Sequence, residues 1–338
     1  MSRVSDATEA YRLRWKRRGL LWRAFRSRKR LSSVQDHTAV IRPGMVLCLG
    51  AIRNEAARLP HFLDHHRRLG VGHFLFVDNA SDDGSPDLLA RQADVSLWST
   101  PDSYKASRFG LDWMNWLLRR YGAGHWCLTL DADELLIYPQ WQDRNLTDLT
   151  RWLDTHQAQA MACMMLELYP KGPLSQAVHL AGQDPVKTLP WFDGHGYDRT
   201  RVNRFGHVSI RGGVRRRVFF ADRPDHAPHL HKTPLVRWKS SYAYLSSTHI
   251  ALPRHLNGGF DRPDLPTGVL LHTKFLPNIL DKSKEEKQRG QHFTHPDRYD
   301  CYYDSIIADP DLWHDGSVQY QDGQQLEALG LMSRGHWA

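Results

Sequence analysis

The chain has 338 residues, of which 41% are hydrophobic and 24% charged, and its formal net charge is +8. This ordinary globular composition excludes collagen, low-complexity and globally disordered proteins. Its four cysteines form no CxxC pair, which excludes a zinc ribbon and a disulfide scaffold and fits a reducing compartment. We find neither a secretory signal nor a spanning helix, which needs about 20 apolar residues. The sequence therefore predicts a globular, cytoplasmic protein.

The positive charge is concentrated at the N-terminus. Residues 1–40 contain 11 basic and three acidic side chains, and the rest of the chain has 34 of each sign. In this segment Tyr11, Trp15, Trp22 and Phe25 recur at helical spacing. A basic helix with an aromatic face is typical of proteins that rest on an anionic membrane. The alternatives are a solvated tail, a helix packed on the protein itself and a nucleic-acid-binding arm.

From residue 45, apolar runs alternate with segments of helical spacing. The predicted strands are Met45–Leu49, His73–Val77, Val95–Trp98 and Trp126–Leu130, and the predicted helices lie at 55–69, 86–93 and 106–121. Such alternation indicates βαβ units and a mostly parallel, doubly wound sheet. No GxGxxG follows a strand and no GxxxxGK[ST] occurs, which argues against a dinucleotide-binding domain and excludes a P-loop NTPase.

Beyond residue 160 the alternation is weaker. We expect strands at Met161–Tyr169 and Val269–His272, loops with short strands over 170–235, and charged helices over 277–310.

Paired acids follow the fourth predicted strand. Asp131 and Asp133 are two residues apart, so both carboxylates can face one point, and Glu134 comes next. Carboxylate oxygens suit Mg²⁺ or Mn²⁺, which can bridge a diphosphate. A solvated acidic turn is the alternative. The position after a buried strand favours the metal site, because ligands bind beyond the carboxyl ends of parallel strands.

Polar residues also follow the first two predicted strands. Asn54 and Glu55 follow the first, and Asp78 follows the second. At such positions a carboxylate or amide can bond a ribose or a base.

Three segments, CLGAIRNEA, HFLFVDNASDDGS and HWCLTLDADELLIYP, resemble the nucleotide-binding half of the family 2-like glycosyltransferases with the GT-A fold. Later segments, RGGVRRRVF, PLVRW, STHI and LLHTKF, resemble the bacterial branch whose DxD is followed by Glu. Together the similar segments extend over roughly residues 45–310.

The resemblance implies a GT-A fold and metal-dependent transfer of a sugar from a nucleoside diphosphate, expected to be UDP, with inversion. The acceptor would be a hydroxyl of a saccharide or lipid-linked molecule in polysaccharide synthesis. The expected divisions are a basic arm (1–43), a catalytic domain (44–276) with a nucleotide half (44–140) and an acceptor half (141–276), and a helical extension (277–338).

The resemblance also assigns roles to single residues. Asn54, Glu55 and Asp78 would line the nucleoside. Asp131 and Asp133 would be the DxD acids, with Asp133 the more direct ligand of Mn²⁺ or Mg²⁺. A late histidine often completes this site, and the candidates are His272 first and His249 second. Lys274 would meet phosphate beside His272.

Further cations are candidates for the diphosphate or an anionic acceptor. Arg211 begins the densest basic run of the otherwise neutral body, and Lys105 and Arg108 follow the third predicted strand, where the next predicted helix starts. Arginine binds phosphate with two parallel hydrogen bonds. A charged surface hairpin is the alternative for Arg211.

The base that would accept the acceptor's proton is expected well after the DxD, where the family's usual Glu-Asp pair is missing. Asp193, which lies among aromatic residues and glycines, is the first candidate and Glu167 the second. Glu134 would hold the acceptor or support the metal.

Two other functions remain open. A metal-dependent sugar-phosphate nucleotidyltransferase could use the same paired acids, although no Gly-rich basic loop follows the first strand. A nucleic-acid-binding protein would use the basic arm but leaves the acids at the strand ends unexplained. We expect a cytoplasmic enzyme that rests on the inner membrane through residues 1–40.

Overall fold

The structure, a computed structural model, describes residues 3–289 and 296–337. Its strands, in chain order, are β1 (Ser32–Gln35), β2 (Val46–Ile52), β3 (Val71–Asp78), β4 (Val95–Ser99), β5 (Trp126–Thr129), β6 (Glu134–Ile137), β7 (Ala160–Glu167), β8 (Trp191–Asp193), β9 (Asp198–Val202), β10 (His207–Arg211), β11 (His231–Arg237), β12 (Ala243–Ser246), β13 (Ile250–Leu252), β14 (Gly268–His272) and β15 (Ser317–Gln319).

The helices, in chain order, are α1 (Arg3–Ser27), α2 (Leu59–Arg68), α3 (Ser85–Ala90), α4 (Leu111–Leu117), α5 (Leu146–Thr155), α6 (Pro185–Thr188), α7 (Ile279–Arg289), α8 (Pro296–Ile307) and α9 (Gly323–Ala328). Local signals start several of them. Proline lies in the first turn of α2 and of α3, where its missing N–H costs nothing. The Asn145 side chain accepts a hydrogen bond from Asp148 N and caps α5.

Nine strands of the described chain form one central sheet in the order β1-β4-β3-β2-β5-β11-β7-β14-β6. The four strands from β4 to β5 pair in parallel, and so do β7 and β14. β11 is antiparallel to both β5 and β7, so those two strands point the same way. β1 and β6 are antiparallel edge strands. The predicted α/β class with a mostly parallel sheet is thus confirmed.

Apolar side chains cover both faces of the parallel half of the sheet. Cys48 of β2 belongs to one buried cluster together with Phe62 of α2. Its neighbour Leu49 belongs to another, with Trp113 of α4, on the opposite face. Burial on both faces explains why apolar residues follow one another without interruption in β2. The sheet is therefore doubly wound, with α2 on one face and α4 on the other.

The N-terminal segment is packed against the rest of the protein. One stripe of α1 is buried in a small apolar cluster, whose members are Leu13, Leu20, Ala243, Leu245 and Leu252. Arg23 of α1 donates to Asp112 of α4 at 2.8 Å, and β1 pairs with β4 at the edge of the sheet. The boundary expected between residues 43 and 44 therefore does not coincide with a break in the fold.

The secondary structure predicted over residues 45–130 agrees in element type with β2 to β5 and α2 to α4, although the helices are shorter. The expected helix at 106–121 begins only at Leu111, because Gly110 at its start has a φ of +75°. The segment expected to be mostly loops ends in β11, a central strand. Helices α7 and α8 occupy the region predicted at 277–310, of which residues 290–295 lie outside the described part.

A search of the described helices for length and hydropathy sufficient to cross a membrane finds none.

Candidate active site

A cavity of about 910 Å³ lies beyond the carboxyl ends of the parallel strands. Four chain segments each bring two predicted site residues to it. They are Asn54 and Glu55 after β2, Lys105 and Arg108 before α4, Asp131 and Asp133 between β5 and β6, and His272 and Lys274 at the end of β14. Arg211 and His249 also line it. The strand ends thus meet at one edge of the sheet, where α/β proteins bind ligands.

The acidic turn between β5 and β6 is fixed by β14. The backbone N–H and Oγ1 of Thr273 both donate to the carbonyl oxygen of Asp133, at 2.7 and 3.0 Å. In the sheet register, His272 of β14 lies beside Glu134 of β6 and Glu167 of β7. Three neighbouring strands therefore place His272 between two carboxyl groups next to the turn.

His272 connects two carboxylates. Its Nε2 lies 3.2 Å from Oδ2 of Asp133, and its Nδ1 lies 3.6 Å from Oε1 of Glu167. Burial alone would lower the pKa of His272, but the two carboxylates outweigh burial and raise it. Burial also opposes ionisation of Asp133, yet His272, Arg58 and Lys274 hold the pKa of Asp133 well below its usual range. Asp133 is therefore a carboxylate at neutral pH.

Lys232 of β11 places a buried cation beneath the acidic turn. Its Nζ donates to Oδ2 of Asp131 at 3.0 Å and to Oε1 of Glu134. Burial disfavours the ammonium, but the two carboxyl groups outweigh it and raise the pKa of Lys232. Burial, with Asp131 and Asp133 nearby, raises the pKa of Glu134 to about 7 despite the lysine. Lys232 thus stays charged and offsets the acids.

Asp133 and His272 fit two adjacent ligands of one divalent ion. Two ligands about 2.1 Å from an ion and at right angles lie about 3.0 Å apart, close to the 3.2 Å between Asp133 Oδ2 and His272 Nε2. Asp131, with a side chain 52% exposed, is on the same turn. Within the described ranges no three His, Cys, Asp or Glu side chains are arranged to hold an ion. Substrate oxygens and water would complete the shell, as they do for Mg²⁺.

The residues after β2 are held by the protein's own contacts. Oδ1 of Asn54 accepts a hydrogen bond from Asp82 N at 3.0 Å, and asparagine tolerates the φ of +53° found there. Glu55 pairs with Arg58 at 2.9 Å and with Lys282 of α7 at 2.6 Å. The predicted C-terminal extension therefore contributes to this wall of the cavity.

Asp78, predicted to contact a nucleoside, does not line the cavity. Its side chain accepts hydrogen bonds from the backbone N of Ser81 at 3.1 Å and from Ser81 Oγ. The next residue, Asn79, reaches the cavity instead. The Asp78 carboxylate closes the turn after β3 because a buried acid satisfies itself with nearby donors.

The basic run from Arg211 to Arg217 is mostly engaged inside the protein. It forms the ion pairs Arg215–Glu167, Arg216–Asp198 and Arg217–Asp193. Of the run, Arg211 and Arg215 line the cavity. Arg211 itself ends the charged hairpin of β9 and β10, as the alternative predicts. It also lines the cavity, so part of the run is available to a ligand.

The three predicted catalytic carboxylates do not line the cavity. Asp193 accepts hydrogen bonds from Tyr169 OH and from Arg217. Glu167 is buried; burial opposes its ionisation, but Arg215 and His272 lower its pKa. Glu134 is bound to Lys232. Because internal partners hold all three groups, the structure does not place any of them against an acceptor.

Histidines of the acceptor half form a second wall. Ring centroids lie 4.5 Å apart in the pair His207 and His231, and 5.5 Å apart in His231 and His249. His229 and His249 line the cavity. Burial lowers the pKa of His229 to about 4 and that of His249 to about 3. These neutral imidazoles give this wall uncharged hydrogen-bonding groups, which suit hydroxyl groups.

Sequence reasoning missed two cations at the site, Arg58 and Lys232. Arg58 is 4% exposed and also donates to the carbonyl oxygen of Thr273 at 3.2 Å. The sequence did contain a signal for Lys232, because this lysine lies next to an apolar run. A lysine that is buried there needs an acidic partner. Its partners could not be read from the sequence, since Asp131 is 101 residues away.

No protein-family model and no curated protein sequence matches the chain. Solved structures do match, among them a mannosyltransferase, PcManGT from Pyrobaculum calidifontis, in complex with GDP-Man and Mn²⁺. The match has 23% identity, covers 47% of each chain and has a TM-score of 0.29. It spans about half the length of that protein, and a similarity this low does not by itself indicate a function.

Proposed function

We propose that the protein is a metal-dependent glycosyltransferase of the GT-A type. It would transfer a sugar from a nucleoside diphosphate, with UDP as the first nucleotide to test, to a hydroxyl of a saccharide or lipid-linked acceptor, with inversion. The observation that carries the proposal is the pair Asp133 and His272, which has the spacing of two metal ligands inside a cavity at the strand ends.

The donor would bind across the first half of the sheet. Asn54 and Glu55 line the cavity after β2, on the side where the nucleoside would lie. Lys274, Arg215 and Arg211 line the same cavity, where cations would meet diphosphate oxygens. Lys105 and Arg108 provide further positive charge at the rim.

A divalent ion, when bound, would offset the negative charge that develops on the departing nucleoside diphosphate. In this chain Asp133 and His272 would hold the ion, and donor oxygens and water would complete its shell beside Asp131. Lys232 keeps Asp131 in place from below. The same lysine balances Glu134, so that the acidic turn remains compact before the ion and donor arrive.

The proton of the acceptor hydroxyl needs a base that reaches the cavity. Among the described residues of the acceptor half, Asp225 is the carboxylate that lines it. It is exposed in the loop before β11. We therefore prefer Asp225 to the internally paired Asp193, Glu167 and Glu134 as the base.

The first experiment identifies the nucleotide. UDP, GDP and CDP are titrated calorimetrically into the protein with and without Mn²⁺. The proposal predicts that one of them binds, and that Mn²⁺ is required for tight binding. If none binds in the presence of Mn²⁺ or Mg²⁺, the proposal is wrong.

The second experiment separates transfer from the nucleotidyltransferase alternative. Sugars linked to the preferred nucleotide are incubated with the protein and Mn²⁺, and the released products are separated. A glycosyltransferase releases the nucleoside diphosphate, by slow hydrolysis even without an acceptor. Pyrophosphate-dependent formation of a nucleoside triphosphate and a sugar phosphate would show the alternative instead.

The base is tested by Asp225→Asn, with Asp222→Asn as the matched control, because Asp222 lies in the same exposed loop and does not line the cavity. Asp225→Asn is expected to lower turnover by about 100-fold and to leave nucleotide binding unchanged. Equal turnover in both variants would exclude Asp225 as the base.

A further inference from the structure

We propose that one face of α1 docks the protein on an anionic lipid bilayer. The aromatic face of α1 consists of Tyr11, Trp15, Trp22 and Phe25, whose exposed fractions are 61%, 53%, 58% and 44%. Large aromatic side chains are usually withdrawn from water, so four of them exposed on one helix indicate a surface that meets a partner.

The geometry of α1 separates this face from the packed one. Steps of four and seven residues join Tyr11, Trp15 and Trp22, which therefore form one stripe of an α-helix. The buried stripe, with Leu13, Leu20 and Ala24, follows the same steps on the opposite side. Packing against the body fixes the helix, so the aromatic face is held outward as a preformed surface.

Cations accompany the rings on this face. The guanidinium of Arg18 lies 4.8 Å from the ring centroid of Trp15, and that of Arg26 lies 4.6 Å from the ring centroid of Trp22. Aromatic rings insert among lipid headgroups, and arginines bind lipid phosphate. A helix that carries both kinds of side chain on one face is typical of membrane-surface helices. Because residues 1–40 carry the whole net charge, the attraction to anionic lipid is concentrated in the segment that contains this face.

The shape of the surface favours a bilayer over nucleic acid. Single-stranded nucleic acids are bound in positively charged grooves where bases stack on aromatic rings. The aromatic face of α1 is the convex outer side of a helix, which suits a flat, fluid surface better than a strand of bases.

The docking helix lies beside the cavity. Arg23 of α1 pairs with Asp112 at 2.8 Å, and Arg108, which lines the cavity, lies 3.9 Å from the same carboxylate. A protein held by this face would keep α1 at the lipid surface and its cavity on the other side of that helix. A lipid-linked acceptor in the bilayer would then be within reach of the protein. This consequence rests on the proposed function, but the docking of α1 on the bilayer does not.

The test measures how the full-length chain co-sediments with vesicles of phosphatidylcholine, with and without about 30% phosphatidylglycerol. One variant carries Trp15→Ala and Trp22→Ala, and a second carries Arg18→Glu and Arg26→Glu. The matched control carries Val178→Ala and Leu180→Ala, which remove exposed apolar side chains, 75% and 68% exposed, from another part of the surface.

The wild type and the control are expected to bind the anionic vesicles and not the neutral ones. Each α1 variant should bind at least about 10-fold more weakly, with the same melting temperature, because the substituted side chains are exposed. Nucleotide binding, measured by calorimetry, should be equal in all of them, so a failure of docking is distinguishable from a failure of the proposed function.

Two results would overturn the proposal. One is wild-type protein that does not prefer anionic vesicles, or α1 variants that bind them as the wild type does. The other is salt-sensitive binding to RNA or DNA that both α1 variants lose, in a protein that ignores vesicles, since the face would then be a nucleic-acid interface.

Discussion

The two halves of the central sheet supply the cavity in different ways. In the half built from β4, β3, β2 and β5, polar residues follow the strands, as Asn54 and Asp131 do. In the other half, charged residues within or at the ends of strands bind oppositely charged partners inside the protein. Lys232 of β11 reaches Glu134 of β6, and Glu167 of β7 pairs with Arg215.

The difference shows that the two halves of the sheet have different roles at the site. Side chains that follow strands are partly exposed at the cavity even where a neighbour holds them, as the 52% exposed Asp131 illustrates. Side chains within strands are buried, so each charge needs a partner inside the protein. The second half therefore acts as a support that sets the position and charge of the acidic turn.

The largest effect is expected from Lys232→Met. Loss of the buried ammonium leaves Glu134, with a side chain 0% exposed, without its partner. Breaking a buried ion pair on one side costs about 3–5 kcal/mol, and urea unfolding should show a loss of that size. Adding Glu134→Gln to the same chain should restore most of it, because the uncompensated acid is gone. An unchanged free energy of unfolding in Lys232→Met would mean that the ion pair between Lys232 and Glu134 does not stabilise the fold.

Acid should weaken the fold through histidines buried in their neutral form. Burial lowers the pKa of His65 to about 4 and that of His249 to about 3, and that of His66 falls well below its usual value. Between these values and about 6.5 the unfolded chain binds protons that the folded chain does not, so stability falls as the pH drops.

From pH 7.5 to pH 6 the three imidazoles together should cost about 2 kcal/mol. Urea unfolding at a series of pH values measures this, and substitution of His249 by Gln should reduce the slope. A free energy of unfolding that rises towards pH 6 would contradict the account.

An effect of similar size is expected from Asp193→Asn, which tests whether this carboxylate stabilises the fold or takes part in catalysis. The carboxylate accepts two hydrogen bonds from Arg217, each at 3.0 Å, and one from Tyr169. Loss of its charge should cost about 1–3 kcal/mol of stability and leave nucleotide binding and turnover unchanged. Asp198→Asn, at a pair whose acid is 67% exposed, should cost less than about 0.5 kcal/mol. Lost turnover in folded Asp193→Asn would restore that residue as a catalytic candidate.

The difference between the two halves of the sheet also explains which site residues could be predicted from the sequence. Four site residues could be predicted because each follows an apolar run and parallel strands end at one edge of a sheet. They are Asn54, Glu55, Asp131 and Asp133. Asp78 is the last residue of β3, and Ser81, three residues later, donates hydrogen bonds to its carboxylate.

Pairs within the second half could not be predicted, because they depend on which strands become neighbours. Lys232 meets Asp131 only because β11 inserts antiparallel between β5 and β7. The carboxylates of Asp193 and Glu167 looked available for catalysis, yet the arginines that neutralise them lie 24 and 48 residues further along the chain. Such pairings follow from register, which a single sequence does not reveal.

The central claim is that Asp133 and His272 hold a divalent ion against a nucleoside diphosphate. Electron paramagnetic resonance of Mn²⁺, titrated into the protein with the nucleotide that calorimetry selects, tests it directly. The account predicts one bound ion per wild-type chain and at least about 100-fold weaker binding in Asp133→Asn. Asp82→Asn, an exposed acid at another strand end, should bind as the wild type does. Equal Mn²⁺ binding in the wild type and Asp133→Asn would contradict the account.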